Sequence, residues 1–299
     1  MTVHLTRVKA RMSIHAHRKV HGLLEGEYAA LHAGRSMDFN DLREYVRGDD
    51  VKDLDWKASA RTGSLLVKRY AALRQHTIQL VVSTGRSMAG LSQVEDSGEV
   101  SKRDVAVMLA GMVGALAVRH GDLVGLCWGD AEAQHQHRPT PGELGLERHL
   151  EAIHDAAVPS AGASDLAVLL DYVVRTIRRR TLLFVISDTW QVDEATAVLL
   201  RRLRVQHEVL FLTVGGIDPT AEVLAGRDLM DLDDGDLLPE WISDPVLRRE
   251  YAEALAADAA AMNRRLDQLG IVRAHVPDQA AALRCVFELL ESHRHARGR

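Results

Sequence analysis

Short apolar runs alternate with longer segments of helical periodicity from about Thr77 onward. This alternation is typical of strands joined by crossover helices, and it restricts the fold to a largely parallel sheet with helices on its faces. Runs rich in Val, Ile and Leu suit strands that are covered on both sides. The predicted strands are residues 77–82, 122–128, 181–186, 208–213 and 271–276. The predicted helices are residues 102–120, 143–154, 165–179, 194–205, 245–269 and 279–292.

The first 75 residues have a different character. Residues 28–70 are polar, rich in Arg and Asp, and lack a long helical period. We interpret residues 1–75 as an N-terminal region of short strands and turns packed on the main sheet. Residues 76–299 then form the α/β domain, and a length of 299 residues suits one principal core with such an elaboration. The predicted fold class is therefore a doubly wound α/β protein with a β-rich N-terminal elaboration.

Charge and composition narrow the classes of partner. Lys and Arg total 37 against 42 Asp and Glu, a formal net charge of −5, so no overall basic field favours nucleic acid. Cys127 and Cys285 each lie in an apolar segment without a neighbouring cysteine, which predicts reduced, buried thiols. The N-terminus lacks a signal-peptide core, and no apolar run is long enough to span a bilayer. We expect a cytoplasmic protein without a membrane span.

A segment dense in charges and aromatic residues, residues 38–63, precedes the α/β domain. Its charged side chains have the composition of a hydrogen-bonded network, with two aromatic side chains anchoring it on the core. The alternative is a solvated loop with incidental charges. The predicted network consists of Asp41, Arg43, Glu44, Tyr45, Asp49, Asp50, Asp55, Trp56 and Arg61.

The same segment closely resembles the signature of a bacterial family, domain of unknown function fifty-eight. That signature is the succession Phe-x-Asp-Leu-Arg-Glu-Tyr, Gly-Asp-Asp, Asp-Trp and Ala-Arg. The matching residues here are Phe39, residues 41–45, residues 48–50, Asp55, Trp56, Ala60 and Arg61. The resemblance covers most of the chain. It implies a von Willebrand factor A-like domain after the signature and an association with MoxR-type AAA+ ATPases.

The resemblance also implies where a divalent cation would bind. Von Willebrand A-like domains often hold one with an Asp-x-Ser-x-Ser loop, a Thr from a second loop and an Asp from a third. In this chain the first loop has Ser83 where the pattern has Asp, Gly85 where it has the first Ser, and Arg86 between Gly85 and Ser87. Ser87 alone keeps the residue type of that loop.

The second and third loops supply Ser164, where the pattern has Thr, and Asp188. The remaining candidate metal ligands are therefore Ser87, Ser164 and Asp188. Mg²⁺ prefers about six oxygen ligands including carboxylates, and the nearby Arg86 adds positive charge. We expect weak Mg²⁺ binding or none, and no cofactor.

The remaining motifs give little indication of a metal-binding or catalytic site. The pair His135 and His137 predicts a surface hairpin, because no further ligand completes a metal set. The acidic stretch at residues 231–236 departs from the spacing of a calcium-binding loop and predicts a solvated acidic loop or a contact surface for a basic partner. The chain has no GxxxxGK[ST], GxSxG or GxGxxG motif, so the sequence gives no support for an enzyme.

These patterns favour a non-catalytic protein-interaction module that acts with a MoxR-type AAA+ ATPase, as an adaptor or in presenting a client protein. One alternative is a divalent-metal-dependent ligand binder that uses Ser87, Ser164 and Asp188. Another is a hydrolase with an unrecognised site in the Asp-rich signature. Loops after parallel strands gather at the carboxyl edge of the sheet, so we expect the partner to bind there, with Arg86 pairing with a partner carboxylate.

Overall fold

The computed structural model describes residues 3–15, 24, 26–28, 41–46, 54–69, 75–95, 98–188, 192–219, 221–224, 227–237 and 244–297. The strands are β1 (Asp41–Glu44), β2 (Leu66–Arg69), β3 (Thr77–Ser83), β4 (Leu91–Glu95), β5 (Gly98–Ser101), β6 (Leu123–Gly129), β7 (Gln134–Thr140), β8 (Leu182–Asp188), β9 (Glu208–Val214) and β10 (Val272–Val276). The longer helices are α1 (Val3–His15), α2 (Trp56–Thr62), α3 (Lys102–Arg119), α4 (Gly142–Ala156), α5 (Leu166–Thr176), α6 (Glu194–Gln206), α7 (Pro245–Gln268) and α8 (Ala282–Arg297).

The central sheet has six strands in the order β10-β9-β8-β3-β6-β7. All neighbours are parallel except β7, which pairs antiparallel with β6 at one edge. The five strands predicted from apolar runs are the five parallel ones, and the predicted hairpin around His135 and His137 is β7. The six predicted helices are also present, with shifted ends. The predicted mostly parallel α/β fold is therefore confirmed.

Both faces of the sheet are buried, as the apolar runs predict. Leu80 and Val82 of β3 belong to one apolar cluster with α1, α3, α4 and α8. Val81, between them, belongs to a second cluster with α5, α6 and α7. Successive strand residues face opposite sides, so this alternation requires helices on both faces. The sheet is doubly wound.

The N-terminal region departs from the sequence prediction. Residues 3–15 form a helix, α1, and not short strands, whereas β1 and β2 do form a short antiparallel pair. Leu5, Val8 and Met12 are buried on one face of α1, and a Cβ atom at Gly111 of α3 would lie 2.6 Å from Val8 Cγ2. This close approach exists only in the folded protein, which explains why the local pattern did not indicate a helix. The domain boundary near residue 75 stays a prediction, since residues 70–74 lie outside the described residues.

A buried carboxylate from α4 fixes the start of α1. Glu147 accepts hydrogen bonds from the backbone N–H groups of His4 at 2.8 Å and Leu5 at 2.7 Å. These N–H groups have no partner within the helix, and the helix dipole favours a negative charge there. The interaction spans more than 140 residues of sequence and holds the start of α1 on the α/β core. Among the described helices, none is long and apolar enough to cross a membrane.

A buried histidine joins α4 to the edge strands. His149 is fully buried, and its Nε2–H donates to the Val124 carbonyl oxygen at 2.9 Å. In the neutral ring Nδ1 is then an acceptor, and it faces Nδ1 of His137 at 3.1 Å. Burial lowers the pKa of His149 to about 4. Protonation would place a second N–H opposite His137 and a charge in an apolar environment.

We expect acid to destabilise the protein through His149. The folded-state pKa is about 4, against 6.5 for an unperturbed histidine, so its contribution is complete above pH 6.5 and is lost as the pH falls towards 4. The full difference corresponds to about 3 kcal/mol. Urea unfolding of wild type and His149→Gln at pH 7 and pH 4.5 measures it, because the variant lacks this part of the pH dependence. Exposed His295→Gln is the control, and equal pH dependence in all three proteins would contradict the assignment.

Candidate functional site at the carboxyl edge of the sheet

The predicted metal-loop residues lie at the carboxyl edge of the central sheet. Ser83 ends β3, and Ser87 follows in the short 3₁₀ helix Arg86–Ala89. Asp188 is the last residue of the neighbouring strand β8. Ser164 directly precedes Asp165, whose side chain caps α5. Neighbouring parallel strands end at one edge, so β3 and β8 bring Ser87 and Asp188 together, and Ser164 joins them from the loop between α4 and α5.

Short hydrogen bonds link the three loops. Ser87 Oγ donates to Asp188 Oδ2 at 2.5 Å, and it lies 2.5 Å from Ser164 Oγ. A hydroxyl has one proton, so Ser164 is the donor to Ser87. Asp188 and Ser87 are buried, with exposed fractions of 2% and 6%. We call the linked side chains Ser87, Ser164 and Asp188 the edge cluster.

A lysine beside the edge cluster places a positive charge near its carboxylate, and the sequence did not indicate this contact. Lys102 is the first residue of α3, and its Nζ lies 3.4 Å from Asp188 Oδ2. Its side chain is only 12% exposed. The capping box of Ser101 and Asp104 shows where α3 begins, but it does not give the direction of the Lys102 side chain. No local signal could have placed it beside a residue 86 positions away.

Gly85 occupies a position where a side chain has no room. A Cβ atom there would lie 2.3 Å from Ser164 Oγ, 2.4 Å from its Cα and 2.6 Å from its N. The Arg86 N–H also donates to the Gly162 carbonyl oxygen at 3.0 Å. The first and second loops are thus in backbone contact where the metal loop would have its first Ser.

The remaining donors do not fit a divalent cation. The edge cluster offers one carboxylate and two hydroxyls that already bond to one another, against the roughly six oxygens that Mg²⁺ requires. Ser83, in place of an Asp, is buried, and its hydroxyl has no hydrogen-bond partner within the described part of the chain. The Lys102 ammonium adds a positive charge beside the only carboxylate of the cluster. Across the described ranges, no group of three or more His, Cys, Asp or Glu side chains is placed to hold a metal.

Charged groups surround the edge cluster. Arg86 is half-buried, and its Nε is buried without a hydrogen-bond partner among the residues that the structure describes. Partial burial raises the pKa of Asp233, and the negative charges of Asp188 and Asp231 raise it further, while Lys102 and Arg86 oppose this. The acidic stretch at residues 231–236 is therefore an exposed turn beside the edge cluster.

The described part of the signature segment forms a small unit of β1, α2 and β2. Asp55 caps α2 by accepting from the N–H groups of Lys57 at 3.1 Å and Ala58 at 3.0 Å. Ser59 Oγ accepts from the Leu66 N–H at 2.8 Å and so joins α2 to β2. The backbone N–H of Tyr45 donates to the Leu65 carbonyl oxygen at 2.8 Å. Backbone hydrogen bonds, the Asp55 cap and the Ser59 hydroxyl thus join α2 to its neighbouring strand and hold β1 near it.

One part of the predicted signature network needs correction, and another part lies outside the described residues. Trp56 does not anchor the segment on the core, because it is 64% exposed at the first position of α2. Arg61 is exposed on the same helix. Helix α2 has seven residues, and its Asp55 cap and Ser59 face β2. This orientation directs its first side chain, Trp56, outward. Asp49 and Asp50, and the side chains of Asp41 and Arg43, lie outside the described residues, while Glu44 is exposed on β1.

The exposure of Trp56 predicts that it contributes little to stability. Trp56→Ala should change the free energy of unfolding by less than about 0.5 kcal/mol, as for other surface substitutions. Asp55→Ala, one residue earlier, should lower it by about 1 kcal/mol because α2 loses its cap. Denaturant unfolding of both variants measures the difference. A larger loss for Trp56→Ala than for Asp55→Ala would show that the tryptophan is buried.

The contact between Gly85 and Ser164 predicts that the metal-loop pattern cannot be restored by one substitution. Gly85→Ser should lower the free energy of unfolding by about 1–3 kcal/mol, because its Cβ would overlap backbone atoms that must move. Gly26→Ala, at a position with no atom within 4 Å of the added Cβ, is the matched control. Thermal melts with and without Mn²⁺ are the measurement. A variant that is as stable as wild type and gains stability with Mn²⁺ would contradict this geometry.

Comparison with known proteins gives the family of the chain. The family described as protein of unknown function DUF58 matches residues 41–261. Uncharacterized proteins of Mycobacterium bovis and Mycobacterium tuberculosis are each 30% identical over 265 residues, which cover 85% of this chain and 78% of the relative.

An aerotolerance-related membrane protein from Bacteroides fragilis is a similar solved structure, with a TM-score of 0.45, 14% identity, and coverage of 73% of this chain and 99% of that chain. A von Willebrand factor type A protein from Catenulispora acidiphila has a TM-score of 0.41 at 10% identity and covers 75% of this chain and 43% of its own. The family match spans well over half of the chain, and the protein therefore belongs to the DUF58 family.

Proposed function

We propose that this protein is a non-catalytic protein-interaction module that binds its partner at the carboxyl edge of the central sheet. The edge cluster is the observation that carries the proposal. Ser87, Ser164 and Asp188 come from three separate loops, and their mutual hydrogen bonds hold those loops in one arrangement before any partner arrives. A pre-ordered surface loses less conformational entropy on binding, and this edge is where open α/β sheets usually bind ligands.

The arrangement of the same side chains argues against hydrolysis. A serine nucleophile needs a base to take its proton, usually a histidine. Ser87 instead donates to Asp188, and the Asp188 carboxylate also faces the Lys102 ammonium. Ser87 is buried, so its oxygen is not presented to a substrate. In the signature segment, the carboxylate of Asp55 is engaged as a helix cap, which leaves it unsuited to act as a catalytic acid or base there.

The metal-dependent alternative receives less support than direct recognition. A cation at this edge would need oxygens that Gly85 does not provide, and the backbone contact of Gly85 with Ser164 leaves no room for an added donor. A guanidinium can take over the role of binding a partner carboxylate, because it offers donors in a planar fork. Arg86 lies between Gly85 and Ser87, and its Nε lacks a partner among the described residues.

We take the partner to be a MoxR-type AAA+ ATPase, as the family resemblance implies, with the protein acting as its adaptor or in presenting a client. On this proposal the protein works in the cytoplasm, binds without a metal, and recognises an acidic side chain of the ATPase through Arg86. The exposed acidic turn at residues 231–236 lies beside Arg86. It would favour a partner surface that presents basic groups next to the acidic side chain that Arg86 binds.

Reversal of the Arg86 charge tests this assignment. Arg86→Glu should weaken binding to the purified MoxR-type ATPase from the same organism at least about tenfold, which corresponds to about 1.4 kcal/mol. Arg86→Ala should have a smaller effect of the same sign. Arg202→Glu, at an exposed position of α6, is the control for the change in net charge. Affinities are measured by titration calorimetry with and without ATP.

Two outcomes would contradict the proposal in different ways. Unchanged affinity in both Arg86 variants would remove this loop from the interface while leaving the ATPase as the partner. Absence of binding by the wild-type protein, with and without ATP, would remove the ATPase.

A further inference from the structure

The edge cluster contains a buried negative charge that needs a cation. Asp188 is 2% exposed, and a carboxylate removed from water is strongly destabilising without a compensating charge. Ser87 supplies one neutral hydrogen bond to Oδ2, and Oδ1 has no hydrogen-bond partner in the described part of the structure. Hydroxyl dipoles alone leave the charge uncompensated. In a metal-binding site of this geometry, a divalent ion would balance it.

Lys102 reaches Asp188 along a defined path. Its Nζ lies 3.4 Å from Asp188 Oδ2, and its side chain is 12% exposed. A Cβ atom added to Gly216 would lie 3.1 Å from Lys102 Cε, and one added to Gly90 would lie 3.8 Å from the same atom. The aliphatic part of the lysine thus passes between two glycine backbones that leave room for it.

The position of Lys102 in its helix is otherwise unfavourable. It is the first residue of α3, an 18-residue helix, where the helix dipole disfavours a cation. A lysine at that end would normally extend into water, which costs no burial of the ammonium. Its inward direction therefore requires a specific attraction, and Asp188 is the anion that Lys102 meets within ion-pair distance.

We propose that the Lys102 ammonium is the resident cation of this site and takes the place of a divalent metal ion. The charge of the site is then covalently attached to α3, present at all times and independent of metal supply. The contact between Gly85 and Ser164 is part of the same change, because loops that need not surround an ion can close on each other. This inference concerns the charge balance of the edge cluster and stands whether or not the ATPase is the partner.

A double-mutant cycle tests the charge balance directly. Lys102→Met should lower the melting temperature by about 5 °C or more at pH 7.5, since Asp188 is left buried without a counter-charge. Most of that loss should disappear when the same substitution is made in Asp188→Asn. Lys102→Arg should retain most of the wild-type value. Lys57→Met, at an exposed lysine of α2, is the control and should leave the melting temperature unchanged.

The result that would overturn the proposal is an equal loss for Lys102→Met in the wild-type and Asp188→Asn backgrounds, because the lysine would then act through packing alone. No loss in either background would overturn it as well. A rise in the wild-type melting temperature with micromolar Mg²⁺ or Mn²⁺ that is absent in Asp188→Asn would also contradict it, by showing that a metal binds at Asp188. Should Lys102→Met alone fail to fold, a folded double variant still supports the proposal and an unfolded one contradicts it.

Discussion

The ion pair between Asp188 and Lys102, with the hydrogen bond from Ser87, determines the form of the carboxyl edge. Asp188 ends a strand in the middle of the sheet, where burial makes its charge unfavourable unless it is balanced. Once the ammonium balances it, the loops that carry Ser87 and Ser164 can approach until their hydroxyls meet. The Gly85 position then has no space for a side chain. One buried charge therefore accounts for both the closed loops and the inward lysine.

The rest of the fold holds these loops in position through long-range contacts. The edge cluster depends on β3 and β8 being adjacent in a sheet that helices cover on both faces. On one face of the sheet, the central helix α3 is buried from Val105 to Ala117. Its first residue, Lys102, therefore has little freedom to shift. Helix α1 packs on α3 and is held by Glu147 from α4. Tyr28 donates to Asp122 at 2.8 Å and joins a second N-terminal piece to the start of β6. Helix α1 and Tyr28 are thus built into the α/β core.

The sequence predicted features that depend on local periodicity and failed for features that depend on remote partners. Apolar runs locate β3, β8 and the other parallel strands, and the ends of β3 and β8 predict that Ser87 and Asp188 meet. Ser164 precedes α5, and it was assigned to the same site through the family resemblance. Lys102 was missed because its contact with Asp188 spans 86 positions. Helix α1 was missed because Glu147 satisfies its first N–H groups from across the chain.

Trp56 shows the limit of residue type as a guide to burial. Its size and its charged neighbours suggested an anchor on the core, but the cap formed by Asp55 and the contact of Ser59 with β2 turn it outward. Aromatic residues favour burial only on average, and the orientation of a short helix decides the individual case.

The most direct test of the central claim is a crystal structure of the protein grown with Mn²⁺, with anomalous scattering used to locate the metal. The account predicts no anomalous peak within about 3 Å of Asp188, with the Lys102 ammonium beside its carboxylate and Ser87 bonded to Ser164. An anomalous peak coordinated by Asp188 and Ser87, with Lys102 displaced and the Gly85 loop moved away from Ser164, would contradict it.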